Sequence, residues 1–202
     1  MQHFYSSIEG WFDFEVLYKR MVDTFADDAR FVEVGSWKGR SSAFLATEII
    51  ISQKNIKLDC VDTWRGSEEH INPDSLWYNE KIVNNKNYLY FEFIKNTRPV
   101  RDVITPVRSS SIEASKMYKN RSLDFVFLDA AHDYENVFCD LTAWYPKIKK
   151  GGYIGGHDYG KSFAGVNKAV DEFFNCDKFD KAANDFFKYD VEVIGNSFLY
   201  RK

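Results

Sequence analysis

Apolar positions along this chain follow two rhythms, and the rhythms alternate. From Phe12 to Phe25, the residues Leu17, Tyr18, Met21, Val22 and Phe25 recur at helical spacing, which predicts an amphipathic helix over about residues 12–26. Phe31-Val32-Glu33-Val34 is short and mostly apolar, as a strand covered on both faces would be, and it stops at Gly35. Ser41 to Ile51 reads as helix again. Lys57 to Val61 predicts a second strand ending at Asp62, and Asp102 to Val107 a third. Leu123 to Leu128 is the clearest buried strand and ends at Asp129; Gly152 to Gly156 is a fifth, ending at His157-Asp158. Helices are predicted at Ser111 to Tyr118 and Tyr134 to Lys149. The second carries Val137, Leu141, Trp144 and Ile148 on one face and a basic last turn, with Gly151-Gly152 beyond it, as helix C-termini prefer. Val166 to Phe174 is a further helix. Phe186 to Val193 and Ser197 to Arg201 flank Gly195-Asn196 and predict a terminal hairpin.

Strands alternating with helices predict a doubly wound, Rossmann-like α/β fold. It has a seven-stranded, mostly parallel sheet, helices on both faces, right-handed crossovers and a C-terminal antiparallel hairpin. Residues 64–99 break the rhythm. They are polar and aromatic, with Trp64, Arg65, His70, Trp77, Tyr78, Tyr88, Tyr90, Phe91 and Phe93, and predict a helical insertion or lid. Such a segment would cover a cofactor and shape an acceptor pocket for a sugar ring or flat phenol; packed into a satellite core, the same aromatics would serve stability alone. Glu9-Gly10-Trp11-Phe12 is a second piece of the same cover. With no repeat or linker, one domain is expected over residues 1–202.

Composition narrows the partners. Hydrophobic residues at 45% and charged residues at 28% fit a soluble globular chain. A net charge of -3 argues against nucleic acid, and no apolar stretch reaches membrane-spanning length. Cys60, Cys139 and Cys176 are odd in number, far apart and form no CxxC pair, against both a zinc knuckle and a disulfide framework. That usage, and a start without a charged head and apolar run, point to the cytoplasm. No heptad seam fixes an oligomeric state.

In an open α/β sheet, ligands bind outside the carboxyl ends of the strands. After the first strand, Gly35 and Gly39 are spaced GxxxG, and Trp37 stands where a dinucleotide fingerprint needs its second glycine. The indole would obstruct a pyrophosphate. S-adenosylmethionine has none, and its sulfonium tolerates a nearby carboxylate such as Glu33. Asp62, ending the second strand, can accept both ribose hydroxyls; as a turn aspartate it would cap the next segment instead.

These segments, together with Ile8 to Phe12, Asp62-Thr63-Trp64-Arg65-Gly66-Ser67, Phe127 to Tyr134 and Gly151 to Asp158, resemble the small class I S-adenosylmethionine-dependent methyltransferases. More narrowly, they are similar to the branch related to macrocin-type sugar O-methyltransferases. The resemblance spans nearly the whole chain. It implies that Glu33, Gly35 and Ser36 hold the methionine end and Asp62 the ribose, with Gly39, Ser41 and Trp64 flanking them. It places Ser109-Ser110-Ser111 at the adenine, where the family often carries Gly-Asp-Ser and this chain offers Ser110 and Ser111 without the carboxylate.

A sugar or alcohol hydroxyl is a poor nucleophile and needs a base, a divalent metal such as Mg or Mn, or both. Asp129 and His157-Asp158 end adjacent strands about 4.8 Å apart and could converge on one ion. The resemblance gives Asp129, His157 and Asp158 as metal ligands, although His157 is less natural for Mg²⁺ than an oxygen ligand. His132, one turn beyond Asp129, is the expected general base, with Asp129 beside it at the cofactor. The plain readings are that Asp129 and Asp133 cap the following helix and that His157-Asp158 is a loop pair. The expected activity is methyl transfer to a hydroxyl of a small molecule, sugar or glycan. The competing readings are a nicotinamide-dependent oxidoreductase, which lacks a suitable Tyr-x-x-x-Lys pair, and a non-catalytic Rossmann-like binding module.

Overall fold

The sheet order shows where a ligand can sit. A computed structural model of the protein describes residues 1–160, 163–174, 179–180, 185–186 and 191–202, with the backbone only at 179–180 and 185–186. The parallel core is β1 (Arg30–Val34), β2 (Lys57–Asp62), β3 (Ile104–Arg108), β4 (Leu123–Leu128) and β5 (Ile148–Gly156). Near the C-terminus, β6 (Phe179–Asp180) pairs with β7 (Asp185–Phe186), and β8 (Val191–Ile194) and β9 (Ser197–Arg201) form the hairpin. The large sheet runs β3-β2-β1-β4-β5-β9-β8, so the order reverses between β1 and β4. β9 lies antiparallel to β5, and the other pairs up to β5 are parallel. This is the doubly wound, Rossmann-like fold with a C-terminal hairpin that the alternating rhythms predict.

The helices are α1 (Glu15–Thr24), α2 (Arg40–Ser52), α3 (Glu68–Ile71), α4 (Glu80–Asn84), α5 (Tyr88–Thr97), α6 (Ser111–Ser115), α7 (Tyr134–Trp144) and α8 (Ala164–Phe174). They cover both faces. On one, Leu17, Tyr18 and Met21 of α1 and Phe44, Leu45 and Ile49 of α2 pack on Phe31, Leu58, Phe125 and Phe127. On the other, Leu141 and Trp144 of α7 and Val166 and Val170 of α8 pack on Val32, Val126 and Ile154. Alternate residues of one strand therefore face two cores, which is why β1 and β4 read as near-continuous apolar runs. Among the described residues no helix is long and apolar enough to cross a membrane.

Several boundaries differ from the sequence reading. α6 ends at Ser115 instead of Tyr118, β3 begins at Ile104 instead of Asp102, and β5 begins at Ile148 instead of Gly152. Three other departures have a clear cause or consequence. The first helix begins at Glu15, so Trp11, Phe12 and Asp13 lie ahead of it in irregular chain. The helix expected to reach Lys149 stops at Trp144. Pro146 has no N–H for the helical ladder, and Tyr145–Lys147 tighten into a 3-10 turn. Gly151 and Gly152 are consequently no helix cap. They lie inside β5, at a register shift opposite Leu123 and Phe125, where Gly151 has φ +83 and a Cβ on Gly152 would come 2.8 Å from the Asp124 carbonyl oxygen. The strand expected over Phe186 to Val193 starts at Val191 for its last part; residues 187–190, like Cys176, lie outside the described residues.

Residues 64–99, expected as a helical insertion, contain α3, α4 and α5. Phe93 and Thr97 of α5 close directly on the turn after β1: a Cβ on Gly39 would meet the Thr97 methyl at 2.7 Å and the Phe93 ring at 3.0 Å.

Candidate active site

The turn after β1 lies at the switch point, held from three sides. The Gly35 amide donates to the Val61 carbonyl, and the Asp129 amide donates to the Val34 carbonyl, each at 2.8 Å. A Cβ on Gly35 would stand 2.0 Å from the Asp129 carbonyl oxygen, so only glycine lets the turns after β1 and β4 touch. Asp62 reaches across from β2. Its Oδ2 accepts the amides of Ser36 (3.0 Å) and Trp37 (2.8 Å), and its Oδ1 accepts that of Trp64 (2.7 Å). Trp64 in turn donates its indole N–H to the Trp37 carbonyl at 2.8 Å. Trp37 and Trp64 both sit at positive φ, +46 and +49, a strained backbone that these bonds sustain. Burial pushes the Asp62 carboxyl above its ordinary range, and the amides of Trp64, Trp37 and Ser36 pull against it.

Glu33 points into the core from β1. Its Oε1 accepts the Tyr18 hydroxyl at 2.8 Å and its Oε2 accepts the Ser42 hydroxyl. Burial raises its pKa, while Ser42 and Tyr18 oppose the rise. Both carboxylate oxygens are thus engaged by the protein, and Glu33 fastens α1 and α2 to the turn. Ser41 is buried in the first turn of α2. Ser36 is 2% exposed; its hydroxyl lies near the Glu33 carboxylate, whose pKa it helps to hold down, without a well-formed hydrogen bond among the described residues.

The expected adenine serines are turned toward the protein. Ser110 is the N-cap of α6, its Oγ accepting the Glu113 amide at 3.4 Å. Ser111 donates to Asp140 Oδ1 at 2.5 Å and accepts the Trp144 indole N–H at 2.8 Å. Asp140 is buried with that one hydroxyl donor, and desolvation lifts its pKa to about 6. In the unfolded chain it returns to about 3.9, so the folded protein binds the extra proton between those values. The contribution of Asp140 to stability is therefore greatest below pH 4 and declines as pH rises through 6, by about 3 kcal/mol from a two-unit shift. Asp140→Asn keeps the acceptor and removes the charge. It is expected to raise stability at pH 8 and leave it little changed at pH 4, read by urea denaturation at both; an equal shift at the two would refute the burial argument.

At the ends of β4 and β5 four side chains converge. His132 Nε2 lies 2.9 Å from Asp158 Oδ2, and donor atoms of Asp129, His132 and Asp158 all fall within 4.8 Å of one another. His157, also expected as a ligand, lies beside this group. Its Nε2 meets Asp13 Oδ1 at 2.8 Å, and its Nδ1 faces Asp158 Oδ1 at 3.2 Å and Asp129 Oδ1 at 3.6 Å. Desolvation alone would lower its pKa, but Asp129 and Asp158 outweigh it and carry the imidazole to about 10. His157 is thus held between Asp13 on one nitrogen and Asp158 with Asp129 on the other. The hydrogen bond that His132 donates to Asp158 likewise raises the His132 pKa against desolvation. Asp158 pays for burial yet is held well below the carboxylate range by His132 and His157.

Asp158 itself has φ +61, the kink that turns its carboxylate back toward His132. His132 also packs against Phe163, the rings tilted by 31° with 4.6 Å between their centres. Asp133 is a true helix cap, accepting the Asn136 amide at 3.0 Å. Sequence reasoning missed Asp13, Tyr18, Ser42, Asn196 and Phe163. Asn196 donates to Asp13 Oδ2 at 3.0 Å, so the hairpin turn and the segment before α1 together hold His157. No local pattern marks Asp13 beyond a lone carboxylate among Trp11, Phe12 and Phe14.

Beside the turn after β1 opens a cleft of about 640 Å³ between residues 6–11 and residues 70–79. Trp11, Trp37, Arg40, His70, Trp77 and Tyr78 line it.

The protein-family model described as a methyltransferase domain matches residues 32–159, from β1 through the end of β5. A protein of Acanthamoeba polyphaga mimivirus is 27% identical over 188 residues, covering 88% of this chain and 72% of its own. The chain is similar to the solved O-methyltransferase NovP, with TM-score 0.60 and 17% identity over 93% of this chain and 78% of that one. It is also similar to the calicheamicin methyltransferase CalS11, with TM-score 0.61 and 13% identity over 93% and 76%. At those identities the two likenesses establish a shared fold.

Proposed function

The chain belongs to the methyltransferase-domain family, and on that premise we propose that it transfers a methyl group from S-adenosylmethionine to a hydroxyl of a small molecule. The observation that carries the chemistry is the pairing of His132 with Asp158. A carboxylate accepting from Nε2–H fixes the tautomer and leaves Nδ1 as the free base, the logic of any carboxylate-oriented imidazole. Nδ1 would then accept the proton of the acceptor hydroxyl as its oxygen attacks. Asp129 stands beside both, its backbone pressed on the cofactor turn through Gly35.

The residues fit the cofactor. Ser36 presents a buried hydroxyl without a well-formed partner among the described residues, as a group awaiting the methionine end would. Asp62 Oδ1 takes one amide and keeps a lone pair for a ribose hydroxyl. Bound there, S-adenosylmethionine supplies an electrophilic methyl group on a sulfonium that leaves as a neutral thioether. Titration calorimetry tests the reading: S-adenosylhomocysteine is expected to bind and NAD to leave no heat. Binding of NAD alone would overturn it. A radiolabelled-methyl screen over sugars, sugar nucleotides and phenols then identifies the acceptor, for which a sugar is the first choice.

A second use of the same triangle is favoured by its spacing. Asp129, His132 and Asp158 would hold a divalent cation, and one imidazole with two carboxylates suits Mn²⁺ or Fe²⁺ better than Mg²⁺. A bound cation would supply Lewis acidity to the acceptor oxygen. In that case EDTA removes activity and Mn²⁺ restores it. Activity untouched by EDTA assigns His132 to the base role alone.

A further inference from the structure

The cleft beside the cofactor turn has a chemical character of its own. Its aromatic walls are built from both chain segments: Trp11 lies 5.2 Å from Trp77 and 6.4 Å from Trp37, ring centre to ring centre, and Trp37 leans on His70 at 4.4 Å. Trp11 is 61% exposed and Trp77 53%, an unusual display for the largest apolar side chain. Indole faces turned to an open cleft of this size suit a ring, whether planar or the apolar face of a sugar.

The polar groups among them are donors. The Arg40 guanidinium donates one N–H to the Gly10 carbonyl at 2.6 Å, and its Nε has no partner. Arg40 makes no ion pair with any described residue, whereas the neighbouring Lys38 is neutralised by Glu9 at 2.6 Å. The Trp37 indole N–H is likewise unpartnered among the described residues. His70 accepts the Ser67 amide on Nδ1 at 3.2 Å, which places the proton of the neutral ring on Nε2, and burial keeps that ring's pKa low. Three donors, one of them a permanent charge without a counter-ion among the described residues, lie in the wall of the cleft, and the carboxylate in its lining, Glu9, is engaged by Lys38. Leaving such groups unpaired is costly, and an acceptor-only group with negative charge answers all of them.

We infer that this cleft binds the methyl acceptor and that the acceptor is a ring-bearing small molecule with an oxyanion, a carboxylate or a phosphate, its ring on the tryptophans and its anion at Arg40. Naming the ligand as the acceptor rests on the methyltransferase reading; the preference for an anionic ring does not. The two donors on Trp37 and Arg40 are shut from water in this state, so the anion reaches them by displacing the Arg40 side chain from the wall.

Calorimetry with matched probes tests it. The pairs are glucuronate against glucose, para-hydroxybenzoate against its amide, and glucose phosphate against glucose, which separates carboxylate from phosphate. The anionic member of at least one pair is expected to bind about tenfold tighter or better, the worth of one charge-assisted contact. Arg40→Met should erase that ratio and Arg40→Lys should keep part of it. Trp77→Ala, at an exposed position that the core does not need, should weaken both members alike. Equal binding within every pair overturns the inference. So does a ratio that survives in Arg40→Met while S-adenosylhomocysteine affinity falls, since Arg40 would then serve the cofactor. Should Arg40→Met fail to fold, the wild-type ratios and the other two variants decide. Wild-type protein that discriminates the pairs yet ignores S-adenosylhomocysteine would refute the methyltransferase reading and leave the cleft standing.

Discussion

His132→Ala is expected to slow methyl transfer by about 10²–10⁴, the usual contribution of a positioned base, with the affinity for S-adenosylhomocysteine nearly unchanged. The split follows from the geometry. His132 contacts Asp158 and Phe163, while the residues proposed for the cofactor, Ser36 and Asp62, are organised by the turn after β1 and by the amides of Trp37 and Trp64. Removing the imidazole therefore touches the proton and leaves the cofactor turn intact. Single-turnover kinetics with radiolabelled methyl, beside calorimetry, read the two effects separately. Added imidazole should restore part of the rate, since the pocket left beside Asp158 can take it. A variant that methylates at the wild-type rate would end the base assignment. A variant that instead loses Mn²⁺ affinity in step with its activity would make His132 a metal ligand.

Gly35→Ala is expected to be the most damaging single-methyl change in the chain, costing about 4 kcal/mol or more of a total stability of about 5–15 kcal/mol. The new Cβ would lie 2.0 Å from the Asp129 carbonyl oxygen and 2.9 Å from the Ala130 Cα, and at φ +92 the backbone already disfavours a side chain. Nothing flexible stands in the way that could give. The clash is backbone against backbone, so the turns after β1 and β4 must part, and with them the pairing of Asp129 to Val34. Gly195→Ala is the control. Its φ is +61, but a Cβ there meets nothing within 4 Å, so only the left-handed strain of about 1 kcal/mol remains. Urea denaturation of the two variants should show that gap. Equal losses would mean that conformational strain alone, with no contribution from the close approach, accounts for both.

Much of the scaffold could be read from residue order. β4 runs from Leu123 to Leu128 as expected, because a strand covered on both faces must be apolar at every step and the flanking turns bound it sharply. The tail of α7 was misjudged because its basic residues and following glycines imitate a helix end. Pro146 was the contrary signal, and the bulge that uses Gly151 and Gly152 depends on the opposite strand. At the site, the strand-end rule assembled Asp62, Asp129, His132 and Asp158. It could not divide labour between His157 and His132, since that rests on Asp13, 144 positions away from His157, and on the kink at Asp158.

The sequence by itself determined the order and kind of the elements and the set of polar residues gathered at the carboxyl ends of the strands. Periodicity records burial, and burial is a local demand on each position. Only the tertiary structure decided which partner each polar group takes. Ser111 is claimed by Asp140 and Trp144, Glu33 by Tyr18 and Ser42, and Arg40 is left without a counter-ion among the described residues, in a tryptophan-lined cleft. Those choices depend on approaches of a few ångströms between segments far apart in the chain, which hydrogen-bond geometry enforces and residue spacing does not encode.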